Sequence, residues 1–189
     1  MRDVSAKVFV ITGPSGVGKG TLISRLLERM DELELSTSAT TRTPREGEAD
    51  GREYHFLSPE EFAARADAGD FLEHATFSGN RYGTLRSEVE QCLAEGTSLV
   101  LEIEVQGARQ VRAALPDQAV LIFIAPPDPA ALRERLAGRG LDSDDAIARR
   151  LETAKQELEA QQEFKHVVVN DDVERAAGDL ERIVREELR

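Results

Sequence analysis

The stretch KVFVITGPSGVGKGTLISRLLERM, residues 7–30, constrains the fold more than any other part of the chain. It opens on an apolar, β-branched run that predicts a buried parallel strand over 7–12. It closes on a segment whose Leu22, Leu26, Leu27 and Met30 share one face of a predicted helix over 21–30. Between them lies Gly13-Pro14-Ser15-Gly16-Val17-Gly18-Lys19-Gly20-Thr21. Glycines at this spacing let the backbone curl so that successive N–H groups point inward. The following helix adds the positive end of its dipole, and both features attract phosphate oxygens. Lys19 then reaches toward the terminal phosphates of a nucleoside triphosphate. One position departs from the usual Gly-x-x-x-x-Gly-Lys-Ser/Thr pattern: Gly20 follows the lysine, and the hydroxyl waits until Thr21. The loop predicts a triphosphate donor but leaves the acceptor open, because hydrolases, switches and kinases share it.

The rest of the chain supplies a sheet around this loop. Apolar runs predict strands over 98–103, 119–125 and 166–170, the last read as buried like the others. Helices are predicted over 107–115 and 143–162, the latter with Ile147, Leu151, Ala154 and Leu158 as its inner stripe. A final helix carries Val173, Ala177, Leu180 and Val184 on one side. Pro126 and Pro127 end a strand, and Asp128-Pro129 reads as a helix cap followed by proline at the first helical position. Strands alternating with helices predict a mostly parallel sheet covered on both faces. At 189 residues the chain suits one α/β domain with inserted pieces.

Residues 36–84 break the alternation and read as one inserted subdomain, and 128–155 as a second, helical one. Within the first, residues 48–51 suggest a tight turn and residues 52–57 a strand with Tyr54 and Phe56 on one face. Ser58-Pro59-Glu60-Glu61 has the form of a capping box.

A formal net charge of −12 argues against a broad nucleic-acid surface. It leaves room for small anions in a locally positive cleft. No apolar run is long enough to span a membrane, and the N-terminal apolar stretch leads straight into the glycine loop, unlike a secretion signal. With Cys92 as the sole cysteine, read as a small buried side chain, the expectation is a cytoplasmic protein without disulfides. His55, His74 and His166 have no partners at metal-ligand spacing and read as structural.

The acceptor must be read from the first insertion. Arg42 and Arg45 stand three residues apart, with Tyr54 beyond the turn. Two arginines and a phenol suit a phosphate dianion, and equally a solvated basic loop has this composition. Here a resemblance becomes specific. SATTRTPREGEADGREYHF, together with GPSGVGKGTL, NRYGT, EIEVQGA, RGLDSDDAIARR and VVVND, resembles guanylate kinases in motif order across essentially the whole chain.

The resemblance implies a P-loop NTPase core with a parallel sheet flanked by helices, an inserted mixed α+β GMP-binding domain and a helical lid. The boundaries it suggests are core over 1–35, 93–127 and 156–189, GMP-binding domain over 36–92 and lid over 128–155. It implies transfer of the γ-phosphoryl of ATP to GMP or dGMP with Mg²⁺, and no nucleic-acid or membrane partner. The implied donor residues are the loop, Gly13 to Thr21, with Arg135, Arg139 and Asn170. Gly20 would offer only its backbone N–H, and Thr21 a hydroxyl near the α-phosphate. Lys19, Arg42, Arg135 and Arg150 would act on the transferring group, with Arg149 a neighbour. Arg42, Arg45, Tyr54 and Tyr82 would hold the GMP phosphate. Ser38, Glu73 and Thr84 would read guanine, with Glu104 also on the GMP side. Mg²⁺ would have no direct protein ligand, Glu102 and Glu104 reaching it through water. The two insertions would close over the core when nucleotides bind.

The guanine assignment is chemically sensible. The base offers two adjacent donors, N1–H and the amino group, which one carboxylate can accept together, while O6 takes a hydroxyl donor. Adenine would leave such groups unpaired. Taken by itself, Glu73 in FLEHATF reads more simply as a surface carboxylate. Three positions depart from the family pattern: Glu104 replaces the usual aspartate, Arg81 a common tyrosine and Val105 a bulkier residue. Two alternatives stay open at this point. One is another nucleoside monophosphate kinase, and the other a guanylate-kinase-like binding domain that has lost catalysis.

Overall fold

The computed structural model describes residues 6–137 and 144–189, with the side chains of 135–150 outside that description. The chain runs β1 (Val8–Thr12), α1 (Lys19–Arg29) and β2 (Leu33–Leu35), then β3 (Ser38–Thr40), β4 (Tyr54–Phe56) and α2 (Pro59–Asp67). It continues through β5 (Phe71–Phe77), β6 (Asn80–Leu85), α3 (Arg86–Ala94), β7 (Ser98–Glu102) and α4 (Val105–Ala114). It ends with β8 (Ala119–Ala125), α5 (Pro129–Ala137), α6 (Asp144–Glu159), a 3₁₀ turn over Ala160–Glu163, β9 (His166–Val169) and α7 (Val173–Glu187).

Two sheets result. The core sheet has the order β2-β7-β1-β8-β9, and its pairings are parallel. Its central strands β7, β1 and β8 are apolar on both faces because helices cover both. Phe9 and Ile11 of β1, with Val120, Ile122 and Ile124 of β8, pack on the side of α1 and α7. Val8, Val10, Leu121 and Phe123 face the opposite side, toward Val89 of α3 and Ala108 and Val111 of α4. One strand differs from expectation. β9 forms the edge of the sheet, so only Val168 is buried, while Val167 and Val169 are exposed. Val173, placed on the inner stripe of the last helix, is likewise exposed, whereas Ala177, Leu180 and Val184 are buried. Cys92 is only partly buried, against the α3 side of the core.

The second sheet has the order β4-β3-β6-β5 and is mixed: β3 pairs parallel with β4 and antiparallel with β6, and β6 pairs antiparallel with β5. Ser78 and Gly79 both adopt positive φ, giving the two-residue turn that joins β5 to β6. Phe62 of α2 stacks on Phe71 of β5 at 4.4 Å and, with Ala39 and Leu85, forms a small core of its own. The capping box at Ser58 is present: its hydroxyl accepts from the Glu61 N–H and the Glu61 carboxylate from the Ser58 N–H. A further N-cap is made by Asp128, whose Oδ1 accepts from the Ala131 N–H.

Candidate active site

The glycine loop leaves β1 and enters α1 as the sequence predicts. Gly13 has φ +145° and lies so close to the Ile124 carbonyl that no Cβ fits there. Gly18 has φ +98°, and a Cβ on it would lie 2.6 Å from the Asn170 amide nitrogen. Both positions require glycine for conformation and for space. Asn170 is buried, and its Nδ2 donates to the Val17 carbonyl at 2.7 Å. It thereby ties the end of β9 to the loop. Lys19 is buried, its ammonium donating to the Gly13 and Pro14 carbonyls.

A cleft of about 490 Å³ opens above this loop, between the two sheets. Pro14, Ser15, Gly16, Gly18, Lys19, Gly20 and Thr21 line its loop end, while Gly13, Val17 and Asn170 support the loop from beneath. The second sheet lines the opposite end with Ser38, Tyr54, Glu73 and Tyr82. Leu35, Ala75, Phe77 and Ile103 add apolar walls, and Glu102 and Glu104 stand at the cleft beside Lys19. The volume suits a small ligand.

Glu73 is the least expected feature of this cleft. It is only 4% exposed, and the Thr84 hydroxyl donates to its Oε1 at 2.8 Å. Phe71 and His74 stand three apart yet both pack against Phe62 on one side of the sheet, which ordinary strand alternation does not allow. A bulge explains it: β5 pairs Phe71 with Leu85 and Glu73 with Thr84, so two steps on β5 meet one on β6. The bulge turns the carboxylate into the cleft. Burial then pushes its pKa up to about 7, with the Thr84 hydrogen bonds opposing the rise.

The phosphate-binding candidates are organised by Glu48, which the sequence did not single out. Its carboxylate accepts from the Arg42 guanidinium at 2.8 Å and from the Arg45 N–H at 2.7 Å, and these bonds hold its pKa below the usual range. Arg42 also lies over the Tyr54 ring at 5.2 Å, and Tyr54 packs edge-on against Tyr82. Burial, with Tyr82 nearby, raises the Tyr54 pKa, so its hydroxyl remains a donor. The Arg45 side chain is exposed on the adjoining loop. Arg81 is stacked over Phe62 at 4.5 Å, on the outer side of the second sheet's small core.

Acidic groups gather near Lys19. Glu102 has its pKa raised by the protein around it, lowered by Lys19 and raised again by Glu104. Glu157 of α6, absent from the residues singled out in the sequence, hydrogen-bonds Glu104 and accepts from the Ser15 N–H. Burial and Glu104 together raise the Glu157 pKa strongly, with Lys19 opposing the rise. Beside Leu158 of the apolar stripe, nothing local marks Glu157 as inward-facing. Among the described residues no group of three or more His, Cys, Asp or Glu is placed to hold a metal. The histidines pack elsewhere: His55 on Glu88, His166 on Glu187 and His74 against Phe62 and Phe71. Arg139 lies outside the described residues, as do the side chains of Arg135, Arg149, Arg150 and Ile147.

A glycine-rich loop between β1 and α1, facing a pocket of the second sheet across a single cleft, is the architecture of phosphotransferases of the P-loop kinase class. Comparison with known proteins narrows the class. The guanylate kinase family model matches residues 5–187. The chain is 54% identical to a guanylate kinase of Synechococcus sp. (strain CC9311) over 94% of this chain and 93% of that protein. It is 52% identical to one of Synechocystis sp. (strain ATCC 27184 / PCC 6803 / Kazusa), over 98% and 96%. The crystal structure of guanylate kinase from Anaplasma phagocytophilum superposes with a TM-score of 0.79 at 32% identity, covering 98% of this chain and 87% of that one. A shikimate kinase from Bacteroides thetaiotaomicron, at 15% identity and a TM-score of 0.53, shares the fold alone. The chain belongs to the guanylate kinase family.

Proposed function

We propose that the loop end of the cleft seats ATP and the second-sheet end seats GMP, with Glu73 reading the base. As a guanylate kinase the chain phosphorylates GMP with ATP. The observation that carries the residue assignment is the buried Glu73 carboxylate, which shares one cleft with Lys19 of the donor loop. An ionised carboxylate in a buried site needs donors, and guanine supplies two side by side. Ser38, on the same cleft wall, supplies the hydroxyl for O6. Arg42, Arg45, Tyr54 and Tyr82 hold the GMP phosphate, and the apolar walls take the flat faces of the base. The reading takes dGMP as a second acceptor.

The chemistry needs no general base. The second pKa of a phosphate monoester is near 6, so the acceptor oxygen is already nucleophilic at neutral pH. The obstacle is charge. Two unit charges about 4 Å apart repel by roughly 4 kcal/mol at an effective dielectric of 20, and each nucleotide carries more than one. Lys19 neutralises from the loop end of the cleft, Arg42 from behind Tyr54 at the second-sheet end, and Arg135, Arg139 and Arg150 would complete the neutralisation. The carboxylates of Glu102 and Glu104 fit Mg²⁺, because they are oxygen donors crowded enough to repel one another. They would hold it through water, and bound Mg²⁺ would neutralise donor phosphate charge. The reading places the enzyme in the cytoplasm, where both nucleotides are available.

An ADP-release assay tests it with ATP and, in turn, GMP, dGMP, AMP, UMP and CMP. Release strictly dependent on the guanine nucleotides is expected. Release no greater with GMP than with ATP alone overturns the function. Release equal for GMP and AMP overturns the base-reading role of Glu73.

A further inference from the structure

We infer that helix α4 of the core carries a seat for the base-reading carboxylate, in which Gly107 sets where the Glu73 side chain rests and Gln110 is a positioning residue that latches β5. The inference rests on the proposal that Glu73 reads guanine.

Gly107 lies in the first turns of α4 and is buried. A Cβ built on it would fall well inside contact distance of Glu73 Oε2, 3.0 Å from Glu73 Cδ and 3.3 Å from Ile103 Cδ1. The backbone at this position is ordinary helix, so glycine is not demanded by conformation, and it weakens a helix interior. What it provides is room, and the room is occupied by the Glu73 carboxylate. The atoms that would have to move belong mostly to that one side chain, not to backbone. A methyl at position 107 would therefore leave the fold intact and displace the carboxylate toward the cleft, away from its bond with Thr84 Oγ1.

One turn further along α4, Gln110 approaches the same strand. Its Oε1 accepts from the His74 N–H at 3.2 Å, and its Nε2 donates to the His74 carbonyl at 2.9 Å. β5 is the edge of the second sheet, so His74 has outward backbone groups with no neighbouring strand. Edge strands expose such groups, and the Gln110 amide satisfies both, as an additional strand would. It also fixes the residue next to Glu73 relative to the core. Gly107 and Gln110 lie three apart on one helix face, one facing the Glu73 side chain and the other the backbone of the next residue.

A double-mutant cycle tests the seat. The variants are Gly107→Ala, Glu73→Asp and the pair, read by KM for GMP, by GMP preference over inosine monophosphate (which lacks the amino group) and by ATP affinity. Gly107→Ala is expected to raise KM for GMP about tenfold, the factor of roughly one charge-assisted hydrogen bond. It should compress the GMP preference and leave ATP affinity unchanged. Shortening Glu73 to aspartate withdraws the carboxyl by about one C–C bond, ~1.5 Å, so Gly107→Ala should cost little further in that background. Gln110→Met, which keeps the bulk and loses both bonds, should raise KM for GMP in the same way as Gln110→Ala.

Gly107→Ala with unchanged KM and preference, or with an equal effect in both backgrounds, overturns the seat. Wild-type kinetics for Gln110→Met overturn the latch. Glu73→Gln separates the two levels. Unchanged GMP preference in that variant removes the base-reading role itself, whereas altered preference there with normal Gly107→Ala kinetics removes only the seat. Should Gly107→Ala fail to fold, recovery of folding in the Glu73→Asp background supports the seat, and failure there as well overturns it.

Discussion

Glu73→Gln gives a quantitative test of the buried carboxylate. The folded protein raises the Glu73 pKa from the ordinary 4.5 to about 7, chiefly by burial. Between those values the folded state keeps a proton that the unfolded chain has lost, so stability falls as pH rises through that window. The stabilisation relative to high pH is complete below about 4.5 and gone above about 7. A shift of this size corresponds to about 3 kcal/mol. Glutamine does not titrate, and any cost of its buried amide is the same at every pH. The stability difference between Glu73→Gln and wild type should therefore grow in the variant's favour by about 2.5 kcal/mol between pH 5 and pH 8. Urea unfolding at several pH values measures it. A difference constant to within about 0.5 kcal/mol across that range, smaller than any buried-carboxylate shift predicts, would refute the reasoning. Kinetics give a matching expectation. Wild-type kcat/KM for GMP should fall below about pH 7, as Glu73 takes up a proton and can no longer accept both base donors. The GMP phosphate also titrates near 6, so the informative quantity is the ratio of wild type to Glu73→Gln, in which that contribution cancels.

Two further outcomes follow from the site. Asn170→Ala removes the 2.7 Å bond to the Val17 carbonyl beneath the donor loop. It should cost about 1–3 kcal/mol of stability and weaken ATP binding more than GMP binding, which calorimetric titration with each nucleotide resolves; equal losses would mean that the brace does not act through the loop. Arg42→Lys keeps the charge but loses the planar fork shared between Glu48 and the proposed phosphate. It should raise KM for GMP about tenfold or more, on the scale of one lost charge-assisted bond, with ATP affinity unchanged, and an unaltered KM would remove Arg42 from the acceptor site.

Much of the structure is legible in local sequence because the physics there is local. The glycine loop shows itself because only glycine tolerates the geometry of Gly13 and Gly18. The capping box at Ser58 shows itself because its partners stand three residues apart. Strands β1 and β8 are recognisable because a strand buried on both faces is apolar throughout. The β5–β6 hairpin is harder to see. FLEHATF and NRYGTL are polar at positions that turn out to be buried or cleft-facing, and the turn rests on Ser78 and Gly79 alone. The exposure of β9 is not legible in sequence because an edge strand and a central strand can carry the same valines.

What the sequence determined by itself is the glycine-rich loop, the parallel core around it and, through motif resemblance, the family. Only the tertiary structure decided which polar residues act together. A bulge turned Glu73 inward, a glycine on α4 made room for it, and Glu48 gathered Arg42 and Arg45 into one loop. Asn170 reached back 153 positions to the glycine-rich loop, and Glu157 joined Glu104 from the far end of α6. The reason is physical. Loop and cap geometry depend on neighbouring residues in the chain. The cost of burying a carboxylate or an amide depends on partners distant in the chain, and only folding brings those partners within hydrogen-bond reach.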